Sequence, residues 1–243
     1  MLPEGGTLLD VGAGAGAASL PVAAAAGRLV AVDQDRSMLD ALAEIAREAG
    51  LRPVLEPEEG ASEGAAGAKG AADDEGAAGG EGAGNTGTKA GLRLDLVTGR
   101  WPDVAGEVGR ADVAVAANVA YNVAELGAFV EHLYAAAPRR VVLELTSLHP
   151  TAPLSPLWER FWGLRRPDGP RAEDAAAVVE EACGTRVGLE RWQRDDWVLG
   201  AGGPRWVRRR LCLPAEREPE VAEALAELPS VPTEMVTIWW PEA

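Results

Sequence analysis

The stretch Leu8-Leu9-Asp10-Val11-Gly12-Ala13-Gly14-Ala15-Gly16 determines how the rest of the chain is interpreted. The aliphatic run from Thr7 to Val11 is typical of a buried parallel strand. Three glycines at alternate positions follow it, and an alanine-rich stretch comes next. A strand, a glycine turn and a helix N-terminus in this order bind the polar end of nucleotide-like ligands. Glycine suits such a turn because it adopts positive φ and lets a ligand approach the backbone.

The glycines fit two motifs. Gly12, Gly14 and Ala17 satisfy G-x-G-x-x-G/A, the dinucleotide fingerprint. Residues 10–16 also satisfy D-x-G-x-G-x-G. Asp10 discriminates between the two, because a carboxylate at the strand's end repels a pyrophosphate and attracts an ammonium or sulfonium group. A glycine loop with no ligand is the third alternative.

A second aliphatic run, Arg28 to Val32, ends in Asp33. Asp33 lies 21 positions after Gly12, close to the spacing of about 20 expected for a carboxylate that binds a ribose hydroxyl pair. The alternative is a loop or helix-capping carboxylate, since Asp is common at such turns. The strand, the spacing and the glycine loop together favour the ribose role.

Residues 10–16 resemble motif I of the class I S-adenosylmethionine (SAM)-dependent methyltransferases. The resemblance is specific over residues 7–49, moderate over 92–150, and one of general layout beyond. It implies an α/β fold: a doubly wound, mostly parallel seven-stranded Rossmann-like sheet with antiparallel C-terminal strands, in one domain over 1–243. It also implies SAM as the cofactor, transfer of its sulfonium methyl group to a small-molecule acceptor, and no metal.

The resemblance implies roles for particular residues. Asp10 would hold the methionine end of SAM, Gly12, Gly14 and Gly16 would allow its close approach, and Asp33 would bind the ribose. Met38 would flank the adenine or simply pack in the core. The family often has an acidic adenine contact after the third strand; Arg100 stands there instead, beside Trp101, which would stack on the adenine or plug the core.

The part of the site that holds the methyl acceptor is expected after the fourth and fifth strands, which are predicted over 111–117 and 140–146. Asn118 and Tyr121 resemble the N-P-P-Y motif of amine and amide N-methyltransferases, although both prolines are missing. These two side chains would either face the ligand or cap the following helix. His149 follows the fifth strand and would serve as a general base or have a structural role.

Two segments depart from the regular alternation of strands and helices. Residues 53–91 are nearly all small or charged, with eight acidic residues and two lysines. Such a segment cannot bury enough apolar area to offset its ordering entropy, so we predict a disordered insertion. Residues 151–169 are rich in proline and aromatics, and we predict a substrate lid containing a short helix over 156–162.

Further elements follow from apolar periodicity and turn residues. Helices are predicted over 17–26, 36–49, 123–137, 173–183 and 216–228. Further strands are predicted over 92–98, 187–192, 206–213 and 235–240, with 187–192 and 206–213 as antiparallel partners.

Composition excludes several classes of function. The net charge of −15 argues against general nucleic-acid affinity, although local basic clusters exist. No apolar run is long enough to span a membrane and no signal peptide begins the chain, so we expect a cytoplasmic protein. Two cysteines and two histidines without ligand spacing predict buried thiols and no metal site. The oligomeric state stays open.

Two rival functions were weighed against methyl transfer. An NAD(P)-dependent oxidoreductase would need a catalytic Tyr/Lys pair or a substrate-binding His/Arg set, and the chain's only lysines, Lys69 and Lys89, lie in the insertion. The other rival is a non-catalytic binding module that keeps the fold. The missing acidic adenine contact and the absence of N-terminal covering helices favour that rival.

Overall fold

The computed structural model describes residues 2–51, 92–194, 203–229 and 233–242. Its seven-stranded sheet has the order β3-β2-β1-β4-β5-β7-β6. Strands β1 to β5 pair in parallel, and β7 pairs antiparallel with both β5 and β6. The strands are β1 (Gly6–Val11), β2 (Ala26–Asp33), β3 (Arg93–Thr98), β4 (Val113–Ala117), β5 (Val141–Thr146), β6 (Gly188–Arg194) and β7 (Thr233–Trp240). The predicted fold class is confirmed.

Seven α-helices lie in the described part of the chain: α1 (Arg36–Glu48), α2 (Ala105–Val108), α3 (Leu126–Ala136), α4 (Ser155–Trp162), α5 (Ala172–Cys183), α6 (Gly203–Arg210) and α7 (Glu218–Ala226). None of the helices there is long and apolar enough to cross a membrane. The predicted insertion over 53–91 lies outside the described residues.

Strand β1 is buried on both of its faces. Leu8 and Leu9 are neighbours on β1, so their side chains point to opposite faces. Leu9 joins the core that α3 and α5 cover, whereas Leu8 joins the core beneath α1. Burial on both faces explains why β1 reads as a continuous aliphatic run rather than an alternating one.

Helix α1 begins and ends as its sequence indicates. The Asp35 side chain accepts a hydrogen bond of 2.9 Å from the Ser37 amide, which caps the helix N-terminus. Gly50 follows the helix with φ 74°, the left-handed conformation that commonly ends a helix. The helical spacing of Leu39, Leu42 and Ala46 puts them on one face of α1, where they are buried. Ile45 is 42% exposed.

The helix predicted over 17–26 is wrong. Turns occupy its first residues, a 3-10 helix covers Leu20–Ala25, and Ala26 already begins β2. Pro21 occupies the start of the 3-10 helix, where its missing N–H costs no hydrogen bond. Six residues are also too few for an independently stable α-helix.

The strand predicted over 206–213 is also wrong, because this segment contributes most of α6. Val207 and Leu211 lie four residues apart, so a helix places both on one side, where they are fully buried. They pack in a third core formed by α4, α6 and α7, which we call the three-helix cluster. The partner of β6 is consequently β7. The buried-thiol prediction fails at Cys212, which is exposed.

Candidate functional site

The loop after β1 requires glycine at its first and last motif positions. Gly12 has φ 71° and Gly16 has φ 85°. A Cβ atom on Gly12 would lie 2.4 Å from Cγ2 of Val119, and one on Gly16 would lie 2.7 Å from Cγ of Leu20. The amides of Gly12 and Ala13 both donate to the Val32 carbonyl, which draws the loop toward the end of β2. Backbone shape and close packing therefore both exclude larger residues.

Asp10 lies beneath this loop as a buried carboxylate. It is 1% exposed, and its Oδ2 has no hydrogen-bond partner among the described residues. The buried hydroxyl of Ser19 also lacks a partner there. Burial raises the pKa of Asp10 to about 6; the nearby Ser19 hydroxyl lowers that pKa in part, and the charge of Asp33 adds to the rise. An ionised carboxylate in this position would be stabilised by a cationic group.

Asp33 links the glycine loop to the end of β2 by a hydrogen bond. Its Oδ2 accepts from the Gly14 amide at 2.8 Å, and its Oδ1 accepts from the Asp35 amide at 2.9 Å. Each carboxylate oxygen can accept a further hydrogen bond. Asp33 thus has a structural bond to the loop and retains acceptor capacity for a ligand hydroxyl.

A cleft of about 460 Å³ opens beside the loop at the carboxyl ends of β1 to β4. This volume falls in the range of about 300–1,000 Å³ that small-molecule sites occupy. Its walls are formed by Val11, Gly12, Val32, Asp33, Gln34, Gly99, Arg100, Trp101, Asn118, Val119, Asn122, Val123 and Phe129.

The structure brings four of the predicted cofactor residues together in the cleft wall: Gly12, Asp33, Trp101 and Asn118. The others do not line it. Asp10 lies below the loop, and Gly14 and Gly16 shape it. The terminal methyl carbon of Met38 would lie 3.5 Å from a Cβ atom on Gly14, so Met38 covers the loop from outside the cleft.

Arg100 and Trp101 occupy the β3 end of the cleft. Trp101 is only 6% exposed, and its indole N–H donates to the Phe129 carbonyl at 3.1 Å. Trp101 is therefore mainly a core residue that presents part of its surface to the cleft. Arg100 is exposed and lines the same wall. It is a donor-only side chain, whereas the resemblance predicts an acidic residue at this position.

Asn118 and Tyr121, which follow β4, have different environments. Asn118 lies in the left-handed region at φ 59°, a conformation that Asn tolerates better than most residues. It lines the cleft and caps no helix. Tyr121 turns away: its hydroxyl lies 2.7 Å from Oγ1 of Thr146 and accepts from the Thr146 amide. Because Thr146 Oγ1 donates to the Leu148 carbonyl, Tyr121 must donate to Thr146.

His149 lies outside the cleft, in contact with Tyr121 at a ring-centroid distance of 5.5 Å. Its Nδ1 accepts from the Thr151 amide at 3.1 Å, so the neutral ring carries its proton on Nε2. Burial lowers the pKa of His149, and the charges of Arg166 and Arg210 lower it further. In this tautomer Nε2–H is a donor, so the general-base role would require proton exchange between the ring nitrogens.

The segment predicted as a lid contains α4 and so forms part of the three-helix cluster. Leu154 and Leu157 are buried in that core, and the Trp162 indole donates to the Leu211 carbonyl at 2.8 Å. Trp162 is nevertheless 47% exposed. The lid role of 151–169 stays a prediction.

Sequence reasoning missed several residues of the cleft and its floor. Gln34, Val119 and Asn122 line the cleft. Gln34 and Val119 directly follow predicted site residues, so their positions in the sequence could have identified them. Ser19 had no such signal, because only the fold of the turn places its hydroxyl near Asp10.

No protein-family model and no curated protein matches the sequence. Solved structures do resemble it. A candidate methyltransferase from Bacillus halodurans is 13% identical with a TM-score of 0.56, covering 98% of this chain and 93% of its own. Magnesium protoporphyrin IX methyltransferase from Synechocystis, with bound S-adenosylhomocysteine (SAH), is 15% identical with a TM-score of 0.52, covering 98% and 74%.

A third similar structure is precorrin-6y C5,15-methyltransferase from Geobacter metallireducens. It is 10% identical with a TM-score of 0.50, covering 98% of this chain and 82% of its own. At these identities the likeness concerns the fold. Together with the strand order and the glycine loop, it shows that the chain has the fold of the class I SAM-dependent methyltransferases.

Proposed function

We propose that this protein is a class I SAM-dependent methyltransferase that acts on a small molecule in the cytoplasm. The observation that carries the proposal is Asp10, a buried carboxylate with an unpartnered oxygen directly beneath a loop of positive-φ glycines. An uncompensated buried carboxylate is costly. A cationic ligand group next to it would offset that cost, whereas a pyrophosphate would increase it.

The residues fit SAM in three respects. Asp10 and Ser19 offer unpartnered polar atoms toward an ammonium group. Gly12 lines the cleft without a side chain, so a ligand there would meet bare backbone. Asp33 lines the cleft and retains acceptor capacity for ribose hydroxyls. Arg100 and Trp101 follow β3, beyond Asp33, and would face the base, whereas Asn118 follows β4 on the opposite side and would face the acceptor.

When bound, SAM would supply an electrophilic methyl group for transfer to a nucleophile, with the C–S electron pair remaining on sulfur. The protein's task is chiefly to align the nucleophile and exclude water. Asn118 and Asn122 supply polar side chains at the acceptor end of the cleft. Tyr121 holds the loop after β4 to the end of β5 through Thr146. We assign Tyr121 a positioning role there.

Calorimetric titration tests the proposal. We expect SAH to bind to the wild type and NAD⁺ to bind more weakly or not at all. Asp33→Ala should weaken SAH binding by about 1–3 kcal/mol through loss of charge-assisted hydrogen bonds. Asp40→Ala is a matched control, because Asp40 is an exposed carboxylate on helix α1 that pairs with Arg36. Tighter binding of NAD⁺ than of SAH would favour the oxidoreductase.

One observation favours the alternative of a non-catalytic SAM-binding module. The Tyr121 hydroxyl is engaged by Thr146, and Nδ1 of His149 is engaged by Thr151. Neither group is therefore poised to remove a proton from an acceptor. An acceptor that is already nucleophilic at neutral pH needs no such base. SAH formation on incubation with SAM and a panel of small thiols, amines and acids separates the two functions.

A further inference from the structure

A second, smaller cavity lies beside the cofactor cleft. It has a volume of about 160 Å³ at the end of β5. Its lining includes His149, Ser155, Arg166 and Asp168. That volume is below the range of about 300–1,000 Å³ for whole small-molecule ligands, so it suits one chemical group of a larger ligand.

Tyr121 lies between the cavity and the cleft. Tyr121 lies on the loop after β4, whose residues Asn118, Val119 and Asn122 line the cleft. The ring of Tyr121 makes an edge contact with His149, which lines the cavity. A ligand reaching past Tyr121 could therefore occupy both spaces. Its far end would lie in the cavity while its near end faces the cleft.

Hydrogen bonds orient the side chains of Arg166 and His149, two donors in the cavity lining. Arg166 donates from one Nη to the Thr151 carbonyl at 3.3 Å and to Thr151 Oγ1 at 3.2 Å. Thr151 in turn directs its amide and hydroxyl at Nδ1 of His149, at 3.1 and 2.9 Å. Because Nδ1 of His149 faces Thr151, the Nε2–H edge of the imidazole points away from Thr151. The remaining guanidinium nitrogens of Arg166 have no partner among the described residues.

We propose that this cavity binds an anionic group of the methyl acceptor, a carboxylate or a phosphate, through the His149 ring N–H, the Arg166 guanidinium and the Ser155 hydroxyl. The inference rests on the proposed function, and it makes the acceptor an acidic small molecule. Arginine matches both anions because its planar fork donates two parallel hydrogen bonds. His149 contributes as a donor.

The charges around the cavity are consistent with this assignment. Arg166 and Arg210 both lie near enough to lower the pKa of His149, so a positive field acts at the ring although the chain's net charge is −15. Asp168 is the opposing group, since its carboxylate also lines the cavity. An anion in the cavity would meet the charges of Arg166 and Asp168 in its lining, and the positive charge of Arg210 would act on it from outside the cavity.

The two histidines of the chain provide a direct readout. We would titrate benzoate, and separately inorganic phosphate, while following the imidazole resonances by NMR. His132 is an internal control, because it lies on α3 with its Nδ1 against the Ala128 carbonyl. We expect saturable shifts at His149, a rise in the His149 pKa with bound anion, and no comparable shift at His132. Benzoate alone would assign a carboxylate, and phosphate alone a phosphate.

Two substitutions of opposite effect test the assignment. Arg166→Met should weaken anion binding at least 10-fold, whereas Arg165→Met should leave it unchanged, because the Arg165 side chain is 86% exposed. Asp168→Asn should tighten binding two- to threefold, a gain that misfolding cannot produce. Parallel, unsaturable shifts at His149 and His132, or equal effects of the two arginine variants, would overturn the inference.

SAH titration of the same samples separates this inference from the proposed function. Arg166→Met should bind SAH like the wild type, because Arg166 does not line the cofactor cleft. If the wild type binds anions at His149 but does not bind SAH, the cavity assignment stands and the proposed function fails. If SAH binds but no anion shifts His149, the proposed function stands and the acidic acceptor is wrong.

Discussion

The two ends of the proposed active site are built in different ways. The part of the cofactor end proposed for the methionine and ribose lies within β1, the glycine loop and β2, so its groups are close in sequence as well as in space. The acceptor end joins Tyr121, Thr146, His149 and Arg166, and the charge of Arg210 reaches it from α6. The difference shows that a cofactor site can be a local property of a sequence, whereas an acceptor site depends on tertiary packing.

The largest expected effect concerns the independence of the two ends. Leu157 is buried in the three-helix cluster, so Leu157→Ala should lower the free energy of unfolding by about 2–5 kcal/mol. SAH affinity at a temperature where the variant is folded should stay unchanged. Chemical denaturation and calorimetry measure the two quantities.

Leu164→Ala is the control for that experiment, since Leu164 is 54% exposed and its removal should cost little. A loss of SAH affinity in Leu157→Ala alone would mean that the three-helix cluster supports the cofactor end, and the separation of the two ends would be wrong.

The next effect concerns the shape of the glycine loop. Gly12→Ala places a Cβ atom on a residue with φ 71° and 2.4 Å from Val119. We expect a loss of roughly 2 kcal/mol of stability from the strained backbone and the clash, together with weaker SAH binding. Thermal unfolding and SAH titration are the measurements.

Gly106→Ala is a matched control, because Gly106 lies in α2 and a Cβ atom there would meet nothing within 4 Å. Adding Val119→Ala to Gly12→Ala removes the clash but not the strain, so it should restore part of the stability. Unchanged stability and SAH affinity in Gly12→Ala would contradict the close packing of the loop.

A third effect concerns the dependence of stability on pH. Burial raises the pKa of Asp10 from 3.8 to about 6, so the folded protein holds this proton more tightly than the unfolded chain does. Its contribution to the free energy of unfolding therefore falls as the pH rises from about 4 to about 6, by at most about 3 kcal/mol.

The side-chain amide of Asp10→Asn does not titrate, so the difference in stability between the variant and the wild type reports the titration of the Asp10 carboxyl. The variant should become more stable relative to the wild type as the pH rises through that range. Urea denaturation at pH 4.5 and pH 7 measures it. A constant difference would mean that the Asp10 carboxyl titrates normally.

Particular residues show what the sequence could and could not predict. Asp10, the glycines and Asp33 were identified because local spacing alone fixes a strand, a turn and a second strand. Val207 and Leu211 suited either a strand or a helix, and the decision came from packing against α4 and α7, which lie elsewhere in the chain. Arg166 gave no signal, because its relevance depends on Thr151 bringing it to His149.

Contacts between residues distant in sequence also determine which atoms of Tyr121 and His149 are available. Their positions after β4 and β5 were predictable from strand ends. The hydrogen bonds that occupy the Tyr121 hydroxyl and orient the imidazole come from Thr146 and Thr151, which no spacing rule connects to a catalytic role. Sequence predicted the location of these side chains, while the structure determines which of their atoms remain available.

The most direct test of the account is calorimetric titration of SAH into the wild type and Asp10→Asn at pH 7.5. The account predicts that the variant binds SAH at least 10-fold more weakly while its unliganded form is at least as stable as the wild type, because the buried charge is gone. Equal SAH affinity in a folded Asp10→Asn variant would contradict the claim that this carboxylate recognises the cofactor.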